Sequence, residues 1–524
     1  MIRPTPWPSD TGWASTRGPA AGCCAFPADP GTAAPRRSPS TTDRSMTQPK
    51  PLPPVADLLR DFHAGARTPE GLMRDCFDTI DRLDGQINAL PTRVPRERAL
   101  EAAERAGRAI RAGEPVGALA GLPYAAKDMH RTAGIRTTFG SPIFADHVPD
   151  RNDAIVQRVL DAGAILIAKS NTPEFAAGGQ TFNPVLGTTC NPHDPRRTSG
   201  GSSGGGAAAV ASGMAVVADG SDLGASLRNP AAFCGVVGLR PSTISNPALM
   251  PDANGFNTMN TVGSMAPRVA DLRWINRAIH APMPARPMAD WLAAIDAEAA
   301  ARRRAAADRP LRLAYSIDAG GAMPVAAPVR RALQRAIDTL RTRAGARGIE
   351  LVEAFPDMAD ADDCFQVLRA QYFVENLGEL YRTDRAKMKD TVAWNIEQGL
   401  ALTPERLAAA AVTRTRIFAR VAAFLGGFDA WLLPTVQVLP FAHEIPFPTE
   451  IDGKPLATYI DWVKSCYWIT VSGHPGLSLP AGFEPDPADP LGVPLPVGLQ
   501  LVGHYGRDEA LLDVGERIEA LLAG

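Results

Sequence analysis

TSGGSSGGGAAAVASGMAVVADGSDLGASLR, Thr198 to Arg228, is the stretch whose reading decides this chain. It opens with five glycines around paired serines (Gly200, Gly201, Ser202, Ser203, Gly204, Gly205, Gly206), then runs through small residues to Ser212. The apolar Met214 to Ala218 follows, and a second Gly/Ser turn spans Asp219 to Ser226. Glycine is placed where the backbone needs φ > 0 or where another group must approach the main chain. Ala207 to Ser212 reads as helix and Met214 to Ala218 as a short buried strand. Two serine-bearing turns joined this way predict a site of hydroxyls and backbone donors. In α/β sheets reactive groups collect at the carboxyl ends of strands, and a helix start offers unpaired N–H groups to negative charge. Ser226 stands at that junction, ahead of the helix-compatible Ser226 to Phe233.

Other readings of the first turn fail on context. A phosphate loop needs a Lys after its glycines, and none follows. Gly200 to Gly204 formally matches the G-x-S-x-G elbow, yet the preceding CNPHDPRRTS is a polar, proline-broken loop where that motif needs a strand. A flexible glycine hinge would explain one such turn; the second turn argues against it.

GGSSGG followed by D-x-G-x-S-[ILV]-R resembles the signature of the amidase signature family, the Ser-Ser-Lys amide hydrolases, and Ser202 and Ser226 stand 24 positions apart as in that family. The resemblance implies that Ser226 is the nucleophile and Ser202 the bridging serine, with a cis bond from Gly201. It also makes LPYAAKD, Leu122 to Asp128, the segment supplying a catalytic Lys127. From position alone Lys127 is a solvated strand end; the resemblance reverses that. Free lysine titrates near pH 10.4, so a base at neutral pH must be lowered by about 3 units, roughly 4 kcal/mol, through burial. Of 54 basic residues only seven are lysine. Where positive charge suffices the chain uses Arg, and a Lys in an apolar stretch stands where deprotonation is needed. Lys169, after the strand-like Ala164 to Ala168, is a distant second candidate base, and Asp128 reads as a structural carboxylate.

The backbone N–H groups of Leu223, Gly224, Ala225 and Ser226 are the expected oxyanion donors. Thr198, Ser199, Gly201, Ser203, Asp222 and Arg228 form the expected support and substrate loop, with Arg228 pairing Asp222 to brace the turn. No metal and no cofactor are called for. The implied architecture is α/β/α, a large mixed central sheet flanked by helices on both faces.

Length, 524 residues at 45% hydrophobic, would accommodate several domains, whereas the resemblance implies one large unit over 46–524. Within it, 46–115 are N-terminal helices, 116–245 the catalytic core and 361–427 a variable helical region lining the substrate funnel. Residues 1–45 are rich in Pro, Ser, Thr, Gly and Ala without periodicity and read as a disordered leader, with Met46 a candidate start. Tyr372, Phe373, Tyr381 and Trp394 are candidate substrate contacts. Residues 241–269 read as loop-rich and 271–306 as helical. A β-α-β unit is expected over 311–354, and strands at 431–438, 474–483 and 495–503. His474, in the closing segment, has an open role.

A net charge of −2 leaves no footprint for nucleic acid, and no apolar run approaches the ~18 residues of a membrane span. Seven scattered cysteines without metal-ligand spacing fit reduced thiols and a cytoplasmic setting. The expected function is hydrolysis of a small carboxylic amide to acid and amine through an acyl-enzyme on Ser226, in a chain expected to form a homodimer. Aryl, aliphatic, peptide C-terminal and cyclic amides, and some esters, all suit it. Alternatives are a Ser-His-Asp enzyme, though no histidine sits in a motif beside either serine, and a catalytically silent binding relative, which would need no such triad. A third is the amidase-type component of a glutamine-dependent tRNA amidotransferase, which usually carries a GGS-x-R-Q-P turn where this chain reads DGSDLGASLRNP.

Overall fold

The computed structural model describes residues 49–243, 253–307, 309–344 and 348–523, so the expected leader lies outside the described residues. Helical spacing of Val55, Leu58, Leu59 and Phe62 gives α1 (Val55–Ala64), and the same periodicity gives α2 (Pro69–Ile87) and α3 (Arg96–Arg111). Thr68 caps α2 by accepting from Gly71 N–H at 3.0 Å, ahead of a proline in the first turn.

Strands β1 (Thr92–Arg93), β2 (Pro123–Lys127) and β3 (Ile165–Ser170) surround α4 (Ala154–Asp161) in sequence, and a small hairpin pairs β4 (Phe182–Asn183) with β5 (Gly187–Thr188). The signature stretch folds as α5 (Gly204–Ala211), β6 (Val217–Ser221) and α6 (Arg228–Cys234), followed by β7 (Val237–Arg240) and β8 (Val262–Ala266). Then come α7 (Val269–His280), α8 (Met288–Ala307), β9 (Leu311–Tyr315), α9 (Ala327–Ala344) and β10 (Ile349–Glu353). The variable region is α10 (Ala361–Asp384), α11 (Asp390–Leu400) and α12 (Pro404–Leu425), leading to β11 (Ala430–Pro434). A second hairpin, β12 (Glu450–Ile451) with β13 (Lys454–Pro455), precedes α13 (Lys464–Ser472), β14 (Gly476–Pro485), β15 (Pro494–Val502) and α14 (Asp508–Ala523).

Eleven strands form one mixed sheet in the order β1-β3-β2-β6-β8-β7-β14-β15-β11-β9-β10. Strand β2 runs parallel to β3 and β6, and β9 parallel to β10 and β11, while the pairs from β6 to β8, β7, β14, β15 and β11 are antiparallel. Side chains alternate across each strand, so Tyr124 and Ala126 enter one core with Val55 and Leu272 while Ala125 enters another with Phe77 and Ala208. Helices therefore cover both faces, as expected.

Several boundaries differ from expectation, each because a non-local partner decided it. The strand expected over 214–218 is shifted to Val217–Ser221, since β8 pairs with Asp219, Gly220 and Ser221. That partner strand lies inside a stretch read as loop. Its Gly263 is required because a Cβ there would meet Leu239 O at 2.6 Å. Helix α5 starts within the glycines: a Cβ on Gly205 would lie 2.3 Å from Asn171 N, so close packing rather than hinge freedom selects it. The helix expected over 271–306 is two helices, and the 431–438 strand ends at Pro434.

Candidate active site

Lys127 is the last residue of β2, fully buried, and its Nζ donates to Ser202 Oγ at 2.7 Å and to Ser221 Oγ at 3.1 Å. Burial pushes this amine down to about 7, against the opposing pull of the Asp219 and Asp222 carboxylates. The Gly201–Ser202 peptide bond is cis. The Ser203 N–H donates to the Ser226 carbonyl at 3.3 Å, tying the two serine turns together.

Ser202, Ser221 and Ser226 line one cavity, together with Gly201, Leu223, Gly224 and Ala225. The N–H groups of Leu223, Gly224, Ala225 and Ser226 donate to no protein acceptor among the described residues. They sit between β6 and α6, where backbone donors are free to meet an oxyanion.

Asp222 organises that turn. Its backbone N–H donates to Thr261 O at 2.7 Å, and its carboxylate accepts from Leu227 N at 3.0 Å and from two nitrogens of Arg228, Nε at 3.0 Å and Nη2 at 2.8 Å. Burial alone would raise this carboxyl; Arg228 and Arg240 outweigh it and hold it below the usual range. The pairing of Arg228 with Asp222 read from the sequence is present. The same guanidinium also reaches Cys466 O and Gln500 Oε1, each at 2.8 Å, and Gly224 O at 3.0 Å. Asn229 Nδ2 donates to Gly201 O at 3.0 Å and steadies the other turn.

The remaining support residues are buried behind the cavity wall. Thr198 Oγ1 accepts from Gly200 N at 3.0 Å, Ser199 Oγ donates to Thr189 O at 3.2 Å, and Ser203 Oγ is buried without a partner among the described residues. Asp128 accepts from Thr138 Oγ1 at 2.5 Å, a structural role as expected. Lys169 is pushed down by burial to about 8, yet its Nζ is held by His130 O and, at 2.8 Å, Thr132 Oγ1, so it reaches neither serine. His474 is buried against Phe418 with Nδ1 3.0 Å from Ser472 O and does not line the cavity.

One histidine does reach the cavity, which the sequence reading did not foresee. His130 lines it, its Nδ1 lies 2.9 Å from Asp219 Oδ2, and its Nε2 has no partner among the described residues. Asp219 also accepts from Tyr124 OH at 2.7 Å and Lys127 N at 2.6 Å. Ser221 and Arg369 were likewise missed. Ser221 meets Lys127 only through the pairing of β2 with β6, 94 positions apart, for which a single sequence carries no signal. Of the four aromatic candidates, Tyr372 and Phe373 line the cavity; Tyr381 and Trp394 do not.

A family model described as Amidase matches residues 71–512. The A-type subunit of glutamyl-tRNA(Gln) amidotransferase from Moorella thermoacetica is 32% identical over 484 residues, covering 84% of this chain and 91% of that protein. Its counterpart from Thermosynechococcus vestitus is 30% identical over 494 residues, covering 89% and 97%. Among solved structures, a bacterial aryl acylamidase of the amidase signature enzymes superposes with a TM-score of 0.76 at 23% identity, covering 90% of this chain and 96% of that one. That likeness speaks for the fold.

Proposed function

We propose, on the premise that this chain belongs to the amidase family, that it hydrolyses a small-molecule amide through an acyl-enzyme on Ser226. The observation that carries the reading is a fully buried Lys127 amine 2.7 Å from the Oγ of Ser202, which lines the same cavity as Ser226. Neutral Lys127 takes a proton from Ser202 as Ser202 takes one from Ser226, whose oxygen attacks the amide carbonyl. The oxyanion is received by N–H groups of the 223–226 turn; one such donor is typically worth ~10² to 10³ in rate. Lys127, through Ser202, returns the proton to the leaving amine, and water then cleaves the acyl-enzyme.

A fluorophosphonate probe should label Ser226, and Ser226→Ala should lose both labelling and turnover; labelling that survives this change would sink the assignment. The His130–Asp219 pair on the cavity wall supports a Ser-His-Asp reading as the rival chemistry. No serine bonds His130 among the described residues, whereas Ser202 bonds Lys127. Turnover retained in Lys127→Ala but lost in His130→Ala would favour the rival. The curated relatives support a second assignment, the amidase-type component of a glutamine-dependent tRNA amidotransferase. Its mark would be activity only beside partner subunits and glutamine. A silent relative would fail every one of these assays.

A further inference from the structure

Four arginines are buried among the described residues: Arg228, Arg240, Arg273 and Arg369. Three of them face carboxylates, Arg228 and Arg240 on Asp222 and Arg273 on Glu509, Asp513 and Glu516. Arg369 does not. It is 4% exposed, and its two bonded nitrogens donate to neutral oxygens, Nη1 to Asn395 Oδ1 and Nη2 to Tyr459 OH. Its guanidinium also lies over the rings of Phe373 and Tyr459, 5.0 and 5.1 Å from their centroids. A guanidinium carries five N–H groups, so donors remain beyond these two. Burying a charge without a counter-ion is costly, and an anionic ligand at this guanidinium would offset that cost.

The cavity supplies the ligand's position. Arg369 lines it, and no Asp or Glu among the described residues does. Phe365, Arg369 and Phe373 stand four residues apart on α10 and so share one face, each step advancing about 6 Å along the helix. Phe365 lies against the nucleophile turn, 3.2 Å from where a Cβ on Gly224 would sit, and is stacked on Tyr467 at 4.5 Å. A molecule reaching from Ser226 along this flat aromatic wall meets the guanidinium about one helical turn on.

From this geometry we propose that the amide taken by the site carries a carboxylate on its acyl part, seated on Arg369: a half-amide of a dicarboxylic acid, with an apolar or aromatic spacer against Phe365. The proposal rests on the reading of this cavity as the amide site.

The test uses the full-length Ser226→Ala protein, so that binding is read without turnover, and two matched probe pairs: succinamate against succinamide, and 4-carbamoylbenzoate against terephthalamide. In calorimetric titration at least one carboxylate should bind about 100-fold more tightly than its neutral partner. In the Ser226→Ala/Arg369→Gln double variant that preference should shrink to within about 3-fold, and Arg369→Lys should restore part of it. Equal binding of both members in Ser226→Ala, or a preference that persists in the Arg369→Gln background, overturns the proposal. Hydrolysis by the wild type of neutral amides alone would also overturn it while leaving the hydrolase reading intact. Absent fluorophosphonate labelling with the carboxylate preference retained would remove the hydrolase reading and leave the anion site.

Discussion

Lys127 combines two demands that pull against each other. As the proposed base it must lose its proton near neutrality, and burial brings its titration to about 7 from 10.5. The first consequence is kinetic: kcat/KM should rise with pH through an apparent pKa of about 7, and Lys127→Met should be inactive at every pH. A pH-rate profile flat from 5 to 9 would contradict it. The second is thermodynamic. The folded-state value lies below the unfolded one, so between them the unfolded chain holds a proton that the folded chain has shed, and stability rises with pH across that window. Below the folded value the full cost of burying an ammonium applies, at most about 5 kcal/mol for a shift of this size. Lys127→Met should therefore raise Tm at pH 6 and do so much less at pH 10. Thermal unfolding of both proteins at the two pH values measures this. At this scale motif and spacing pointed to Lys127, Ser202 and Ser226, and the structure sets Lys127 against Ser202 and lines one cavity with both serines. The sequence could not disclose the parts of Ser221, His130 or Arg369: Ser221 lies in the second Gly/Ser turn, but its contact with Lys127 comes from the pairing of β2 with β6, and the other two belong to no local pattern.

Among elements, α5 is where local propensity and packing disagree. Gly205 sits inside a helix, where alanine is favoured by about 1 kcal/mol on propensity alone. A Cβ there would stand 2.3 Å from Asn171 N and 2.6 Å from Ala89 O, both backbone atoms that cannot swing away. The expected sign is thus reversed: Gly205→Ala should destabilise by about 2 kcal/mol or more, and thermal unfolding of the purified variant reads it. The same conflict explains what was legible. Helices α1, α3 and α9 and strands β9 and β10 carry their own periodicity and fall close to the expected spans. Strand β8, with Gly263 and Ser264 at its centre, has no such pattern and exists because β6 and β7 pair with it. Strand β6 likewise runs on to Ser221 through that pairing, which carries the site's turn further along the chain than its apolar run indicates.

For the whole molecule, this amidase-family hydrolase is built on a mixed eleven-stranded sheet, with the proposed chemistry at its third and fourth strands, β2 and β6, and residues of α10 and α13 lining the cavity beside it. The Asp222–Arg228–Arg240 group ties these parts together, with all three side chains fully buried. Asp222→Asn removes the only carboxylate facing two buried guanidiniums among the described residues, and should cost about 3 to 5 kcal/mol, seen as a lower denaturation midpoint. Activity per folded molecule should fall with it, because Arg228 also holds the Gly224 carbonyl.

Arg228 draws two of its acceptors from Cys466 and Gln500, far downstream of the turn it braces. During synthesis the lysine and both serines leave the ribosome long before those acceptors do. A nascent chain halted before Cys466 would carry every proposed catalytic side chain, yet its Arg228 would keep only the Asp222 and Gly224 side of its grip and lack both downstream acceptors. Hydrolytic competence should therefore arrive late in translation, and chains ending before residue 465 should neither turn over amide nor react with a serine-directed probe.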